Sequence, residues 1–163
     1  MKKYELTSET KIVFGHILYR IKALSSFGCV SAGDLGGFLE SEKNLSQNGN
    51  AWVFGNAEVY GDARVSGDAR VYGDARASGD AEVSEIGAIF WIGAVGSRND
   101  TATFFRCRDG SIKVVCGCFF GNLDEFAKKV RKTHGDNDHA KVYMLAIDMA
   151  KIRISTEKEK TEE

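Results

Sequence analysis

A six-residue repeat runs through the middle of the chain and constrains its fold more than any other feature. Six consecutive copies of the pattern Gly-Asn/Asp-Ala-x-Val fill residues 49–83, and only the fifth copy replaces the final Val, with Ala77. A period of six fits neither an isolated amphipathic helix nor a simple alternating strand. It is typical of a solenoid in which each repeat, here called a hexad, forms one flat side of a coil.

The hexads also predict which residues stack on one another. When three hexads complete one triangular coil, residues eighteen apart lie one above the other. The aliphatic residue then points into a narrow core, and the small Ala two residues earlier sits where the chain turns a corner. Gly followed by Asn or Asp suits that corner because these residues tolerate positive φ. The predicted pairs on adjacent coils are Val53–Val71, Val59–Ala77, Val65–Val83, Phe54–Tyr72, Glu58–Arg76 and Arg64–Glu82.

The residues before the hexads are expected to belong to the same unit, so that residues 1–85 hold an N-terminal cap and the solenoid. Residues 17–24 are predicted to form a strand that covers one end, because a terminal coil exposes an unpaired edge. Leu39 and Leu45 are six residues apart. That spacing indicates an irregular first coil, slipped by two residues relative to the later hexads.

Residues 86–156 are predicted to form a small α+β domain of three strands and two helices. The first strand covers residues 88–95. Residues 101–108 and 111–119 then form a hairpin around Asp109-Gly110, a pair typical of a two-residue turn. That register places Cys116 opposite Thr103, Cys118 opposite Thr101 and Cys107 opposite Ile112.

Capping residues predict where the two helices begin and end. Asn122 with Glu125 three residues later forms a capping box for the first helix, and Gly135 ends it. Asp136 or Asp138 opens the second helix. The highly charged residues 157–163 are expected to form a disordered, solvated tail. The inward residues of the second helix are expected to be Val142, Tyr143, Ala146, Met149 and Ala150.

Composition narrows the classes of function. The formal net charge of −1 argues against a surface that binds nucleic acid through phosphate contacts. The chain has no apolar stretch of membrane-spanning length and no signal peptide, so a cytoplasmic protein with no membrane partner is expected. Its four cysteines lack the paired spacing of a disulfide framework or a zinc ribbon, and neither a metal nor a cofactor is expected.

Several stretches carry a resemblance to a known group of proteins. They are Leu18-Tyr19-Arg20-Ile21, Gly33-Asp34-Leu35-Gly36-Gly37, residues 40–46 and Gly49-Asn50-Ala51-Trp52-Val53. Through them, residues 12–84 resemble uncharacterised hexapeptide-repeat proteins of bacteriophages and prophages. The segments Gly96–Asp100, 116–119 and 133–136 make the C-terminal unit similar to a domain that often follows such repeats.

The resemblance implies both a fold and a cellular setting. The expected fold is mainly β, with a short left-handed parallel β-helix followed by the small α+β domain. The expected setting is the cytoplasm of a bacterial host cell. The resemblance implies no established activity, so the candidate sites have to come from the residues themselves.

The segment Gly96–Asp100 is the most suggestive of binding. Ser97, Arg98, Asn99 and Asp100 follow an apolar strand, and a guanidinium among such polar groups is able to clamp a phosphate, a ribose or a peptide carboxylate. The alternative is a structural turn in which Asn99 and Asp100 hydrogen-bond their own backbone.

An enzyme is the competing hypothesis, and the sequence argues against it. Acyltransferases on this kind of solenoid use a histidine base, whereas His16, His134 and His139 all lie outside the hexads. The sharper alternative is a nucleophilic Cys116 or Cys118 paired with His134. The simpler interpretation is that both cysteines are small core residues.

Aromatic side chains at variable hexad positions predict self-association. Trp52, Phe54, Tyr60 and Tyr72 are expected to point outward and form an oligomer interface, in a homotrimer first and a dimer second. The predicted function is that of a non-catalytic phage or prophage binding protein. It would antagonise a bacterial defence system by binding a host protein or sequestering a nucleotide-like signal. A structural spacer or virion component is a further alternative.

Overall fold

The computed structural model describes residues 1–154, and these are mainly β with two α-helices. The chain divides into two compact units, Met1–Ile86 and Gly87–Glu163. The charged tail predicted for residues 157–163 lies outside the described residues. Within residues 1–154, none of the helices combines the length and the apolar character needed to cross a membrane.

The N-terminal unit opens with three strands, β1 (Tyr4–Val13), β2 (His16–Ala23) and β3 (Leu35–Leu39). The three strands pair antiparallel in chain order, and β3 then pairs in parallel on its far side with the second hexad, at Glu58 and Val59. The strand predicted over residues 17–24 is confirmed as β2. The sequence prediction missed β1, whose run of Glu, Thr, Ser and Lys gives it little apolar character.

Each hexad contributes one strand of two residues. The six strands are β4 (Trp52–Val53), β5 (Glu58–Val59), β6 (Arg64–Val65), β7 (Arg70–Val71), β8 (Arg76–Ala77) and β9 (Glu82–Val83). Every strand pairs in parallel with the strand three hexads away, so the aliphatic pairs predicted at an offset of eighteen residues are confirmed. The aliphatic side chains and all six Ala residues are buried.

The predicted pairs between outer side chains are confirmed as well. The rings of Phe54 and Tyr72 stack at 4.3 Å between centroids and 9° between planes. Arg76 Nε lies 3.0 Å from Glu58 Oε2, an ion-pair distance without hydrogen-bond alignment. Arg64 stands opposite Glu82 on the adjacent strand. The six hexad glycines have φ between 59° and 74°, which explains why the corner is Gly.

The slip of the first coil is confirmed. Leu39 pairs with Val59 and Leu45 with Val65, both at an offset of twenty residues instead of eighteen. The two extra residues lie between Leu45 and Val53, which are eight residues apart instead of six, and a 3₁₀ helix at Glu42–Asn44 precedes this stretch. The buried Asn44 donates hydrogen bonds from Nδ2 to two hexad carbonyl oxygens, so the irregular segment is tied to the regular coil below it.

Two of the four aromatic residues predicted for an exposed interface are buried, which corrects that prediction. Trp52 is 1% exposed because the rings of Tyr4 and Phe27 pack against it at 6.1 and 5.4 Å. Tyr60 is 7% exposed, with the His16 ring 5.0 Å away. Within the hexads, therefore, only the stacked Phe54–Tyr72 pair offers the aromatic surface that the prediction requires.

The C-terminal unit is a four-stranded antiparallel sheet with two helices, so the prediction of three strands was wrong by one. The strands are β10 (Ile89–Val95), β11 (Asp100–Arg106), β12 (Ile112–Cys116) and β13 (Phe119–Asn122), hydrogen-bonded in that order. The missed strand is β13. The two-residue turn Gly117-Cys118, which the prediction placed inside a strand, separates it from β12.

The predicted register of the β11–β12 hairpin is wrong by one residue. Cys107 N donates to Ser111 O at 2.8 Å, which leaves a three-residue loop where a two-residue turn was expected. Cys116 therefore pairs with Ala102 and not with Thr103, and Cys107 lies beyond the Arg106–Ile112 pair. Cys118 lies in the turn and does not face Thr101.

The helices are α1 (Leu123–His134) and α2 (Asp138–Arg153). The capping box of Asn122 with Glu125 and the end of α1 at Gly135 are confirmed. Of the two predicted starts for α2, Asp138 is the first helical residue, and Asn137 caps it. Tyr143, Ala146 and Ala150 are buried as predicted. Val142 and Met149, predicted to point inward, are 39% and 47% exposed.

Two hexad glycines provide a matched test of the stacking. Gly55 and Gly67 have φ of 59° and 63°, so Ala costs about 1–2 kcal/mol of backbone strain at either. A Cβ at Gly55 would meet nothing closer than 3.9 Å, whereas at Gly67 it would lie 2.3 Å from Ser84 O. Gly67→Ala should therefore cost roughly 1–3 kcal/mol more than Gly55→Ala.

The measurement is urea denaturation followed by Trp52 fluorescence in a Trp91→Phe background, so that the signal reports the N-terminal unit. Equal losses of unfolding free energy in the two variants would contradict the close approach of backbone between stacked hexads.

Candidate functional site

A cavity of about 310 Å³ in the C-terminal unit brings together residues from the β10–β11 loop, the β12–β13 turn, α1 and α2. Three of the four residues predicted to bind a ligand line it, and Asn99 does not. The residues of the thiol alternative line the same cavity, so the two hypotheses concern one site. The lining residues predicted from the sequence are Ser97, Arg98, Asp100, Cys116, Cys118 and His134.

The β10–β11 loop is a tight turn held against the core of the unit. Asn99 N donates to Gly96 O at 3.3 Å, and Asn99 itself has a φ of 51°. Gly96 is buried with a φ of 73°, and a Cβ there would lie only 2.0 Å from Tyr143 Oη. The absence of a side chain at Gly96 therefore allows the tyrosine to pack directly beneath the loop.

The Asp100 side chain hydrogen-bonds the loop backbone and also lines the cavity. Its Oδ1 accepts a hydrogen bond from Thr101 N at 2.8 Å, the local backbone contact that the structural-turn alternative predicts. Its Oδ2 faces the neighbouring turn, where a Cβ on Gly117 would come within 3.2 Å of it. The carboxylate is thus half-buried at the cavity and fixed in orientation.

Two basic groups reach the cavity from different elements. Arg98 stands on the loop, and Lys129 stands on α1; both side chains are exposed. Neither has an ion-pair partner among residues 1–154. A guanidinium and an ammonium on two sides of a cavity form an arrangement suited to a phosphate or carboxylate.

Tyr143 joins the cavity to the core beneath it. Its ring packs edge-on against Phe126 at 5.5 Å, and its hydroxyl lies 3.9 Å from Cys116 Sγ. Burial, the neighbouring Cys116 and the Asp100 carboxylate together raise the pKa of Tyr143 well above its usual range. The phenol therefore remains protonated at neutral pH and is able to donate a hydrogen bond.

The residues of the thiol alternative meet around the same tyrosine. His134 is the last residue of α1, and its ring stacks on that of Tyr143 at 5.9 Å and 24°. Cys116 is half-buried on β12, whereas Cys118 is exposed in the turn. The described geometry thus gives the histidine and Cys116 a shared neighbour in the Tyr143 side chain.

Sequence reasoning missed Lys129, Thr133 and the role of Tyr143. Lys129 and Thr133 lie four residues apart on α1, one turn from each other, and both line the cavity. That spacing was visible in the sequence. What the sequence lacked was any sign that this face of the helix points toward the β10–β11 loop.

No known protein-family model and no curated protein matches this sequence. Residues 1–154 contain no group of three or more His, Cys, Asp or Glu side chains placed to hold a metal ion. The function therefore has to be inferred from the cavity and its residues.

Thiol labelling tests the geometry of the cavity mouth. In the folded protein, N-ethylmaleimide should alkylate the exposed Cys118 at least about tenfold faster than the buried Cys107, which is 2% exposed. Cys29, also exposed, is the positive control. Peptide mass spectrometry over a time course reports each site. Similar rates at Cys107 and Cys118 would contradict the described packing.

Proposed function

We propose that the protein is a non-catalytic binding protein whose C-terminal unit captures a small, anionic, nucleotide-like molecule. The observation that carries this proposal is the placement of Arg98 and Lys129 on different elements around one cavity. Its volume of about 310 Å³ suits a small molecule. The Arg98 fork would hold a phosphate through two hydrogen bonds, and Lys129 would add a point charge.

The remaining lining groups favour a nucleotide over a bare phosphate. Asp100 repels a second anionic group but accepts a hydrogen bond from a ribose hydroxyl. Phe119 lines the cavity half-buried and offers an aromatic ring to a base. The protonated Tyr143 supplies a further donor. A ligand that carries phosphate, hydroxyl and aromatic parts uses all of these groups, whereas inorganic phosphate uses only the two cations.

We infer that the hexads wind as a short left-handed parallel β-helix and that this unit assembles with copies of itself. Parallel pairing at an offset of eighteen residues supports the winding, since three hexads then make one coil. The stacked Phe54–Tyr72 pair, of which Tyr72 is 37% exposed, supports a homotrimer first and a dimer second. Such an assembly would display several copies of the cavity.

The resemblance of residues 12–84 to phage and prophage proteins supports a cellular use. In the cytoplasm of a bacterial host, sequestering a nucleotide-like signal, or blocking the host protein that makes or senses it, would antagonise a defence system. A virion spacer is the structural alternative. It predicts that the protein purifies with phage particles and retains no small molecule.

Substitution of the two basic residues tests the binding site. Arg98→Ala and Lys129→Ala should each weaken binding of a nucleotide about tenfold or more, because each removes a charge-assisted hydrogen bond. Lys128→Ala, which changes an exposed residue next in sequence but outside the cavity, is the matched control. Isothermal titration calorimetry with mononucleotides, dinucleotides and cyclic dinucleotides gives the affinities.

Native mass spectrometry of protein purified from infected cells complements the titration, since it reports the stoichiometry and any retained small molecule together. Equal affinity in the wild-type protein, the two cavity variants and the control would remove this cavity from consideration. A small molecule that is still retained by both cavity variants would also exclude this cavity as its binding site.

A thiol-dependent enzyme is the second candidate, because Cys116, Cys118 and His134 line one cavity. The contact of Cys116 with a protonated phenol weakens this candidate, since a nucleophilic thiol needs a base beside it. If the protein were such an enzyme, incubation with acetyl-CoA and a pool of acceptors would release free CoA. Cys116→Ser or Cys118→Ser would abolish that release. We expect no release above a heat-denatured control.

A further inference from the structure

Helix α2 carries an exposed apolar stripe on the side turned away from the core. Val142, Leu145, Met149 and Ile152 are 39%, 62%, 47% and 87% exposed. Their spacing of three, four and three residues is that of the seam between two packed helices. Buried Tyr143, Ala146 and Ala150 occupy the opposite face, so α2 is apolar on both sides. Among residues 1–154, this second apolar face of α2 therefore has no packing partner.

A groove accompanies the stripe. A second cavity, of about 460 Å³ and largely apolar, lies between the end of α1, the connection to α2 and the Ala140–Asp148 part of α2, with Leu145 in its wall. Four charged residues surround it, two basic and two acidic, so the rim carries no net charge. They are Arg131, Asp136, Lys141 and Asp148.

We propose that this face binds the same face of a second copy of the chain, with the two α2 helices antiparallel. The charges beside the stripe indicate that its partner is a second copy of the chain. Lys141 and Asp148 are seven residues apart, so they lie on the same side of the stripe two turns from each other. In an antiparallel pair related by a two-fold axis, Lys141 lies beside the partner's Asp148, and the reverse contact forms as well. A parallel pair would instead set this side of the stripe against the opposite side of the partner's stripe, so this contact would not form.

The same axis aligns the apolar side chains. It passes close to Leu145, so the two Leu145 side chains meet at the centre and Val142 packs against the partner's Met149. Ile152 then reaches the partner's α1–α2 connection, where the groove lies. Lys141 Nζ is 3.8 Å from Asp138 Oδ1 within its own helix. Both side chains are exposed, so that weak ion pair is easily exchanged for the contact across the interface.

Two other occupants of this face, a membrane surface and a helix of a different protein, fit these charges less well. An anionic membrane surface requires a cationic face, and the four charges cancel. A helix of a different protein would need no symmetry between Lys141 and Asp148. Self-complementary charge about Leu145 is expected only where the face meets itself, and this contact is separate from the Phe54–Tyr72 surface of the hexads.

Charge reversal in the full chain tests the arrangement. Sedimentation equilibrium should show the wild-type protein self-associating through this contact. Lys141→Asp and Asp148→Lys should each weaken the association at least tenfold, because each places like charges side by side twice. An equimolar mixture of the two variants should recover it, since every contact then pairs opposite charges. Lys128→Asp on α1 is the control and should leave association unchanged.

Leu145→Glu should lower the assembly to half its wild-type mass, and circular dichroism should show that the helices persist. Four results would overturn the proposal, and three of them concern the assembly itself. The first is a wild-type chain that is monomeric at all concentrations. The second is a mixture of the two charge variants that does not recover the association. The third is an assembly that Phe54→Ser dissociates but Leu145→Glu does not. Binding of wild-type protein to anionic vesicles, abolished by Leu145→Glu, would assign the face to lipid instead.

Discussion

Backbone hydrogen bonds between hexads three apart are the interaction on which the N-terminal unit depends. Trp52 N donates to Ala69 O at 3.1 Å, and Arg64 N to Ala81 O at 2.9 Å, so strands of only two residues obtain partners from another turn of the chain. A strand this short is unstable by itself. The repeat supplies stability collectively, because each pairing fixes the position of the next and stacks one aliphatic side chain on another. The irregular first coil needs Asn44 and the cap residues because no regular hexad precedes it.

The sequence predicted contacts well where one period governs them and poorly where distant segments meet. The six-residue period sufficed for the Val59–Ala77 stacking and even for the two-residue slip at Leu39, since both follow from counting. The burial of Trp52 depends on Tyr4 and Phe27, which no periodicity connects to the hexads. An outward position in a repeat therefore indicates the direction of a side chain, while its exposure depends on what else the chain places over it.

The C-terminal unit shows the same limit in its hairpins and at the cavity. The β11–β12 loop has one residue more than the sequence predicted, so Cys116 pairs with Ala102 and not with the predicted Thr103. Local chemistry was enough to select the loop around Arg98 as a candidate, because a charged residue after an apolar strand is visible in the sequence. Lys129 could not be added to the site by the same means, since its approach to that loop depends on how α1 packs over the sheet.

Tyr143 explains why the candidate site is a preformed cavity. Its side chain is 8% exposed, and its ring packs against Phe126, which in turn packs edge-on against Phe104 in the core. The same tyrosine fills the space left by the missing side chain at Gly96, so the loop that carries Arg98 rests on the core. A loop supported in this way loses little conformational freedom when a ligand arrives. The few polar groups of a small cavity then contribute to affinity without first having to be ordered, which favours binding as the role of this unit.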